Sequence, residues 1–158
     1  MKVIRTKNEI ARDVAFVLGA PLHRHTKSVV IDNALWCWSG IDGKYDGCKH
    51  WTKAAWSICG QRRELRHEHV VPKKVMINHL LEGKTWNAAG IKNYFEAFCI
   101  GVVVTREEDL KLNKMGLRSK MPSNWDGQDP WARYRAAGLI DQIVQPAVAE
   151  HITYLNLD

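Results

Sequence analysis

Leu65-Arg66-His67-Glu68-His69-Val70-Val71-Pro72 is the stretch that decides how this chain folds. Its apolar ends predict an extended segment, a strand or arm, over residues 65–71. The proline that closes it predicts a helix immediately afterwards, because a first helical position needs no backbone N–H. That helix would carry Val75, Met76, His79 and Leu80 on its inner face and stop before Gly83. The same stretch also concentrates chemistry: two imidazoles and a carboxylate in three residues. In a regular strand His67 and His69 share one face and Glu68 points to the other. For Glu68 and His69 to address one substrate, the strand must end or bend there.

Downstream, Thr85 opens a further helix whose apolar side is Trp86, Ala89, Tyr94, Phe95 and Phe98. Residues 100–104 are a β-branched run and read as a strand. Thr105 ends it and, with Glu108 three residues on, forms a capping box for a helix reaching about Met115. Gly116, Pro122, Gly127 and Pro130 mark residues 116–130 as a loop. Asp129-Pro130 starts a last short helix through Arg133 and Arg135 to Gly138, and the C-terminal tail is expected to pack back on the domain.

Upstream, Thr6 and Glu9 have capping-box spacing, and Ile10, Val14, Val17 and Leu18 fall on one helical face that ends at Gly19 and Pro21. Residues 28–39 fit either short strands or a buried helix. Residues 40–47 are rich in turn formers, and a short helix over residues 52–58 closes at Gly60. No repeat or linker divides the 158 residues. The expected fold class is α+β, in a single domain over residues 1–158.

Composition narrows the function classes. Lys and Arg outnumber Asp and Glu by 23 to 17, for a net charge of +6, which permits but does not require a nucleic-acid partner. No run of about 18 apolar residues exists, so no membrane partner is expected. The N-terminal residues lack the apolar core of a signal peptide, which points to the cytoplasm. Cys37, Cys48, Cys59 and Cys99 form no Cys-x-x-Cys pair, so buried reduced thiols are expected over a zinc site.

Two segments can supply a reactive site: His67-Glu68-His69, and the first turn of the helix after Thr105, with Glu107, Glu108 and Asp109. Carboxylates suit magnesium or manganese, with zinc a weaker prospect. A neutral imidazole can take a proton from water near neutral pH. The acidic run is also favourable at any helix N-terminus, and the Glu68/His69 pair also fits a surface hydrogen bond. Arg62, Arg63, Arg66, Lys73 and Lys74 flank the first segment and could hold phosphates, as could Arg133 beside Tyr134. They fit a solvated face equally well. Trp51 could face a nucleic acid, whereas His79 reads as a packed core histidine.

Glu68-His69-Val70-Val71-Pro72 resembles the acid-His-aliphatic-x-Pro signature of the HNH, or ββα-metal, endonucleases, and Thr105-Arg106-Glu107-Glu108-Asp109 resembles their later Thr-x-x-Glu-His element. The resemblance covers roughly residues 64–115, the HNH-like core, flanked by residues 1–60 and by an extension over residues 116–158. It implies a ββα-metal finger elaborated with extra helices, cutting DNA with one divalent metal ion. In that arrangement Glu68 is a metal ligand, His69 the general base and Asp109 the second ligand; an alternative adds His67 as a ligand beside Glu68. Asp109 stands where the family has a histidine, and residues 98–104 contain no counterpart of its middle asparagine. About 35 residues separate Pro72 from Glu107, enough for two helices where the family has a short loop. The rival expectation is a catalytically silent scaffold that binds DNA or a protein partner as an inhibitor, for example a phage counter-defence factor of the anti-CRISPR type.

Overall fold

The Thr6 hydroxyl accepts the Glu9 N–H at 3.2 Å, and the Glu9 carboxylate accepts the Thr6 N–H at 2.7 Å, so the first capping box forms as expected. Helix α1 (Lys7–Gly19) follows and buries Ile10, Ala11 and Val14. Residues 5–146 are those described by the computed structural model. The ambiguous stretch at 28–39 belongs to one helix, α2 (Arg24–Ser39), which buries Ile31, Ala34, Leu35 and Trp38. Those positions are three and four apart, the spacing of one helical face. Val29 and Trp36 are exposed apolar residues on other sides of α2, and they blur that period in the sequence.

Helix α3 (Lys53–Ser57) is capped by Thr52, and helix α4 (Lys73–Leu81) has Pro72 as its N-cap. Helix α4 buries Met76, Ile77 and Leu80, which turns the expected inner face: Val75 and His79 are only half-buried. Helix α5 (Ala88–Phe98) starts three residues after Thr85, because Asn87 supplies the cap, its side chain accepting the Gly90 N–H at 2.8 Å. Side chains of α1, α2, α4 and α5 form one core, with Trp38 set edge-on to Phe95 at 5.2 Å. Each such side chain contributes roughly 1.5–3 kcal/mol on burial.

The sheet has strands β1 (His50–Thr52), β2 (Leu65–His69), β3 (Gly101–Thr105) and β4 (Ile143–Val144), in the order β2-β3-β1-β4. Strand β3 runs antiparallel to β2 and parallel to β1. It leads directly into helix α6 (Arg106–Lys114), whose capping box between Thr105 and Glu108 is complete. Helix α7 (Ala132–Ala136) follows the long loop. The chain is thus an α+β domain in which β2, β3 and α6 form two antiparallel strands and a helix, with α4 and α5 between the strands. Residues 143–144 of the tail pair with β1, while residues 147–158 lie outside the described residues.

Register settles which side chains share a face. Leu65, His67 and His69 oppose Thr105, Val103 and Gly101, while Arg66 and Glu68 oppose Val104 and Val102. Val102 and Val104 pack with Leu112, Leu117 and Tyr134, beneath α6 and α7. Leu65 and Val103 pack with Trp51 and Ala55 on the opposite face. Strand β2 stays regular through His69, so it does not bend to bring Glu68 and His69 together. Trp51 is 1% exposed and donates its Nε1–H to the Cys48 carbonyl at 2.9 Å; it is a core residue and not a nucleic-acid contact. Among the described residues no helix is long and apolar enough to cross a membrane.

Candidate functional site

A cleft of about 480 Å³ opens along the outer edge of β2. Its walls are α2, the start of α4 and the loop after α6, and His67, Glu68 and His69 all reach its lining. Helix α2 supplies Trp36, whose ring lies edge-on to His69 at 4.8 Å and tilted to His67 at 5.9 Å. Lys73 sits over the Trp36 ring at 4.5 Å and forms an ion pair with Asp32 at 2.7 Å.

The two histidines are packed rather than presented. His69 is 5% exposed, and its Nε2 shares a hydrogen bond of 2.9 Å with the Ser39 hydroxyl. Burial and the neighbouring His67 push its imidazole down to about 3, although the Leu35 carbonyl and Asp32 act the other way. His67 is 6% exposed, and neither ring nitrogen has a hydrogen-bond partner among the described residues. Burial, with a smaller contribution from Lys44, lowers it to about 4. A group so far below neutral remains uncharged at physiological pH but is a weak proton acceptor.

His67 also explains Gly101. A Cβ built on Gly101 would lie 2.6 Å from the His67 Nε2, closer than packed side chains tolerate. We expect Gly101→Ala to lower stability by about 1–3 kcal/mol, measured as a shift in the urea midpoint. An unchanged midpoint would mean that the His67 ring swings freely toward the cleft.

Glu68 faces the other way, into the space under α6 and α7. Its carboxylate meets the Arg133 guanidinium at 3.2 Å. Burial and the charge of Asp109 raise its pKa, while Arg133 and Arg118 oppose the rise. Arg133 is 1% exposed. Its Nε donates to the Val70 carbonyl, its Nη1 to Leu117 and Arg118, and its Nη2 to the His69 carbonyl and to Glu68. All five N–H groups of the guanidinium are used. The expectation that Arg133 contacts phosphate is therefore corrected: it is an internal clamp on the end of β2.

The residues of the expected ligand set divide between the two faces of the sheet. Asp109 shares the Glu68 side, His67 lies on the opposite face of the sheet, and the cation beside Glu68 is a guanidinium. Among the described residues no three His, Cys, Asp or Glu side chains are grouped to hold a metal ion. The four thiols are free. This arrangement does not fit magnesium, manganese or zinc held jointly by Glu68, Asp109 and His67. Glu108 is committed elsewhere, accepting from the Thr105 N–H at 2.9 Å and the Thr52 hydroxyl at 2.7 Å. No protein-family model, curated protein or solved structure matches the chain.

The flanking basic residues divide into three groups. Lys73 and Lys74 line the cleft. Arg62 pairs with Asp46 and covers the Tyr45 ring at 4.8 Å, and Arg62 and Arg63 line a separate surface hollow before β2. Arg66 donates to the Arg63 and Leu65 carbonyls at 2.9 and 2.7 Å. The residue that sequence reasoning missed is Arg118, an exposed cation on the cleft wall close enough to act on Glu68. Its signal was faint: one arginine in a loop, far in sequence from the histidines.

Proposed function

We propose that the chain binds the phosphate backbone of nucleic acid in the cleft beside β2, on an HNH-like scaffold that is catalytically silent in this arrangement. One observation carries this reading. Glu68, the ligand that hydrolysis requires, is held by the buried Arg133, while Lys74 and Arg118 reach the adjoining cleft without a direct ion pair among the described residues, Arg118 acting on Glu68 only through its nearby charge. Lysine and arginine side chains so placed suit phosphate oxygens and carry little sequence information. Ser28 and Ser119 add hydroxyl donors to the same lining.

A second reading, the metal-dependent DNA endonuclease, is favoured by a different observation. Strand, strand and helix follow one another in the order of a ββα unit, and Asp109 stands close enough to Glu68 to raise its pKa. If Arg133 gave way, those two carboxylates would share one side.

Anisotropy of a labelled duplex, titrated across a salt series, separates the two. Binding is expected to weaken as salt rises, with a log–log slope of about −0.9 per phosphate contacted. The double variant Lys74→Glu/Arg118→Glu is expected to bind about tenfold or more weakly. Supercoiled plasmid should remain intact with magnesium or manganese. Metal-dependent nicking lost in both Glu68→Gln and His69→Ala would transfer the conclusion to the second reading.

A further inference from the structure

Beside the cationic cleft, on the far side of α4, lies a second cavity of about 470 Å³ with aromatic walls. His79 stacks on Tyr94, with centroids 4.9 Å apart and planes 15° from parallel. Tyr94 leans on Phe98 at 5.0 Å, and Phe98 meets the edge of Trp125 at 6.4 Å. Trp125 is fixed from outside, its Nε1–H donating to the Asp129 carbonyl at 2.7 Å. Next to it Gly127 adopts a φ of 82°, which glycine takes at no steric cost and which lets the loop turn over the cavity mouth. The rim carries Asn78 and Gln128, each with amide donors and an amide acceptor.

The two cavities adjoin across α4. Asn78 lines both of them. Lys74 and Asn78 stand four residues apart on α4, both exposed, and so share one side of the helix about one turn apart. A phosphate held at Lys74 therefore has an aromatic slot one helical turn away.

Aromatic slots of this kind take either planar bases or organic cations. Glu82 is the one carboxylate among the described residues of the cavity's own lining and would suit a cation, whereas the charges of the adjoining cleft and of Lys84 weigh against one. Lys73, Lys74 and Arg118 line the adjoining cleft. Burial and then the charge of Lys84 lower the His79 imidazole, with Glu82 alone opposing them. A planar, uncharged ring with hydrogen-bonding edges is the better match to stacked aromatics rimmed by carboxamides.

We propose that the cavity walled by Tyr94, Phe98 and Trp125 holds one unpaired nucleobase whose phosphate lies against Lys74, so that the protein prefers single-stranded nucleic acid. This rests on the backbone-binding reading above and names its substrate class. Stacking on an aromatic platform tolerates any base, so sequence preference would be slight.

The test compares three labelled ligands of equal length on the full chain: an oligo(dT) single strand, the same strand with abasic sites, and a duplex. The single strand is expected to bind about tenfold more tightly than the abasic strand. Trp125→Ala should erase that difference and leave duplex binding unchanged, which also shows that the variant is folded. Trp125→Phe should retain most of the preference. Lys74→Glu should weaken all three ligands together. Equal binding of oligo(dT) and its abasic counterpart, with no effect of Trp125→Ala, overturns the base slot alone. Failure of every ligand to bind, the duplex included, overturns the backbone reading and the base slot with it.

Discussion

Replacing Arg133 with methionine is expected to cost about 3–5 kcal/mol of stability, the largest single-residue effect we predict outside the apolar core. The magnitude follows from what is left behind. Methionine fills much of the arginine's volume but donates nothing, so the carbonyls of Val70, His69, Leu117 and Arg118 lose a shared donor. Glu68 loses its counter-charge in a position where burial already penalises its ionised form. Removing one member of a buried pair exposes the full desolvation cost of the other, which usually exceeds the net worth of the intact pair. Arg133→Lys should recover only part of the loss, since an ammonium has three donors in place of a planar five-donor fork. The double variant Arg133→Met/Glu68→Gln should be less destabilised than the sum of its single changes, because the orphaned charge is gone. Urea unfolding of the parent, Arg133→Met, Arg133→Lys, Glu68→Gln and the double variant measures all of this. An Arg133→Met midpoint within about 1 kcal/mol of the parent would show that solvent reaches the Glu68 carboxylate and that the clamp is dispensable.

Arg133 also marks the limit of what the sequence discloses. The capping boxes at Thr6 and Thr105 are local, since each needs only two residues three apart, and both form. The β-branched run at 100–104 and the proline at 72 act locally too, and the strand and helix they predict are present. The face-sharing of His67 with His69 followed from the two-residue period of a strand, and β2 keeps it. Tertiary partners are not local. Arg133 reads as a surface cation because its neighbours in sequence are Ala132, Tyr134 and Arg135; only the fold brings the ends of β2 and α6 around it. Trp51 reads as half polar because Lys49, His50 and Lys53 flank it, yet it is buried in a cluster with Ala55, Leu65 and Val103. His79 failed in the opposite direction: Ile77 turned the buried face of α4, leaving the imidazole against an open cavity. For the same reason the ligands expected around one metal ion were legible as residue types but not as a constellation. Bringing Glu68 and His69 to one substrate depended on a bend in β2 that no residue of that strand enforces, whereas Glu68 and Asp109 share a side without it.

Acidification should unfold the protein well before its carboxylates would on their own, because His67 and His69 are buried uncharged. In the unfolded chain both imidazoles titrate near their ordinary value of about 6.5. In the folded protein they are depressed to about 4 and about 3. Between those limits the unfolded state binds protons that the folded state refuses, so stability rises with pH across the window. The contribution is complete above the unfolded value and is lost progressively as pH falls toward the folded values. Each imidazole then supplies a slope of about 1.4 kcal/mol per pH unit, and the pair about 2.7. Glu68 works in the opposite sense: its carboxyl is raised in the folded protein and takes up its proton there first, which softens the slope by part of one proton. A small domain holds only about 5–15 kcal/mol in total, so two such groups suffice to empty much of it. Thermal midpoints followed by circular dichroism from about pH 7.5 to about pH 4.5 should fall steeply in the lower half of that range. His67→Leu separates the two imidazoles. It removes a ring whose nitrogens have no partner among the described residues, so at neutral pH it should be close to neutral in stability, and it should remove about half of the acid slope. A flat profile in the parent, or a slope unchanged by His67→Leu, would mean that the ring already reaches water or a ligand in the cleft, and with it would go the account of Gly101 as the residue on which that ring rests.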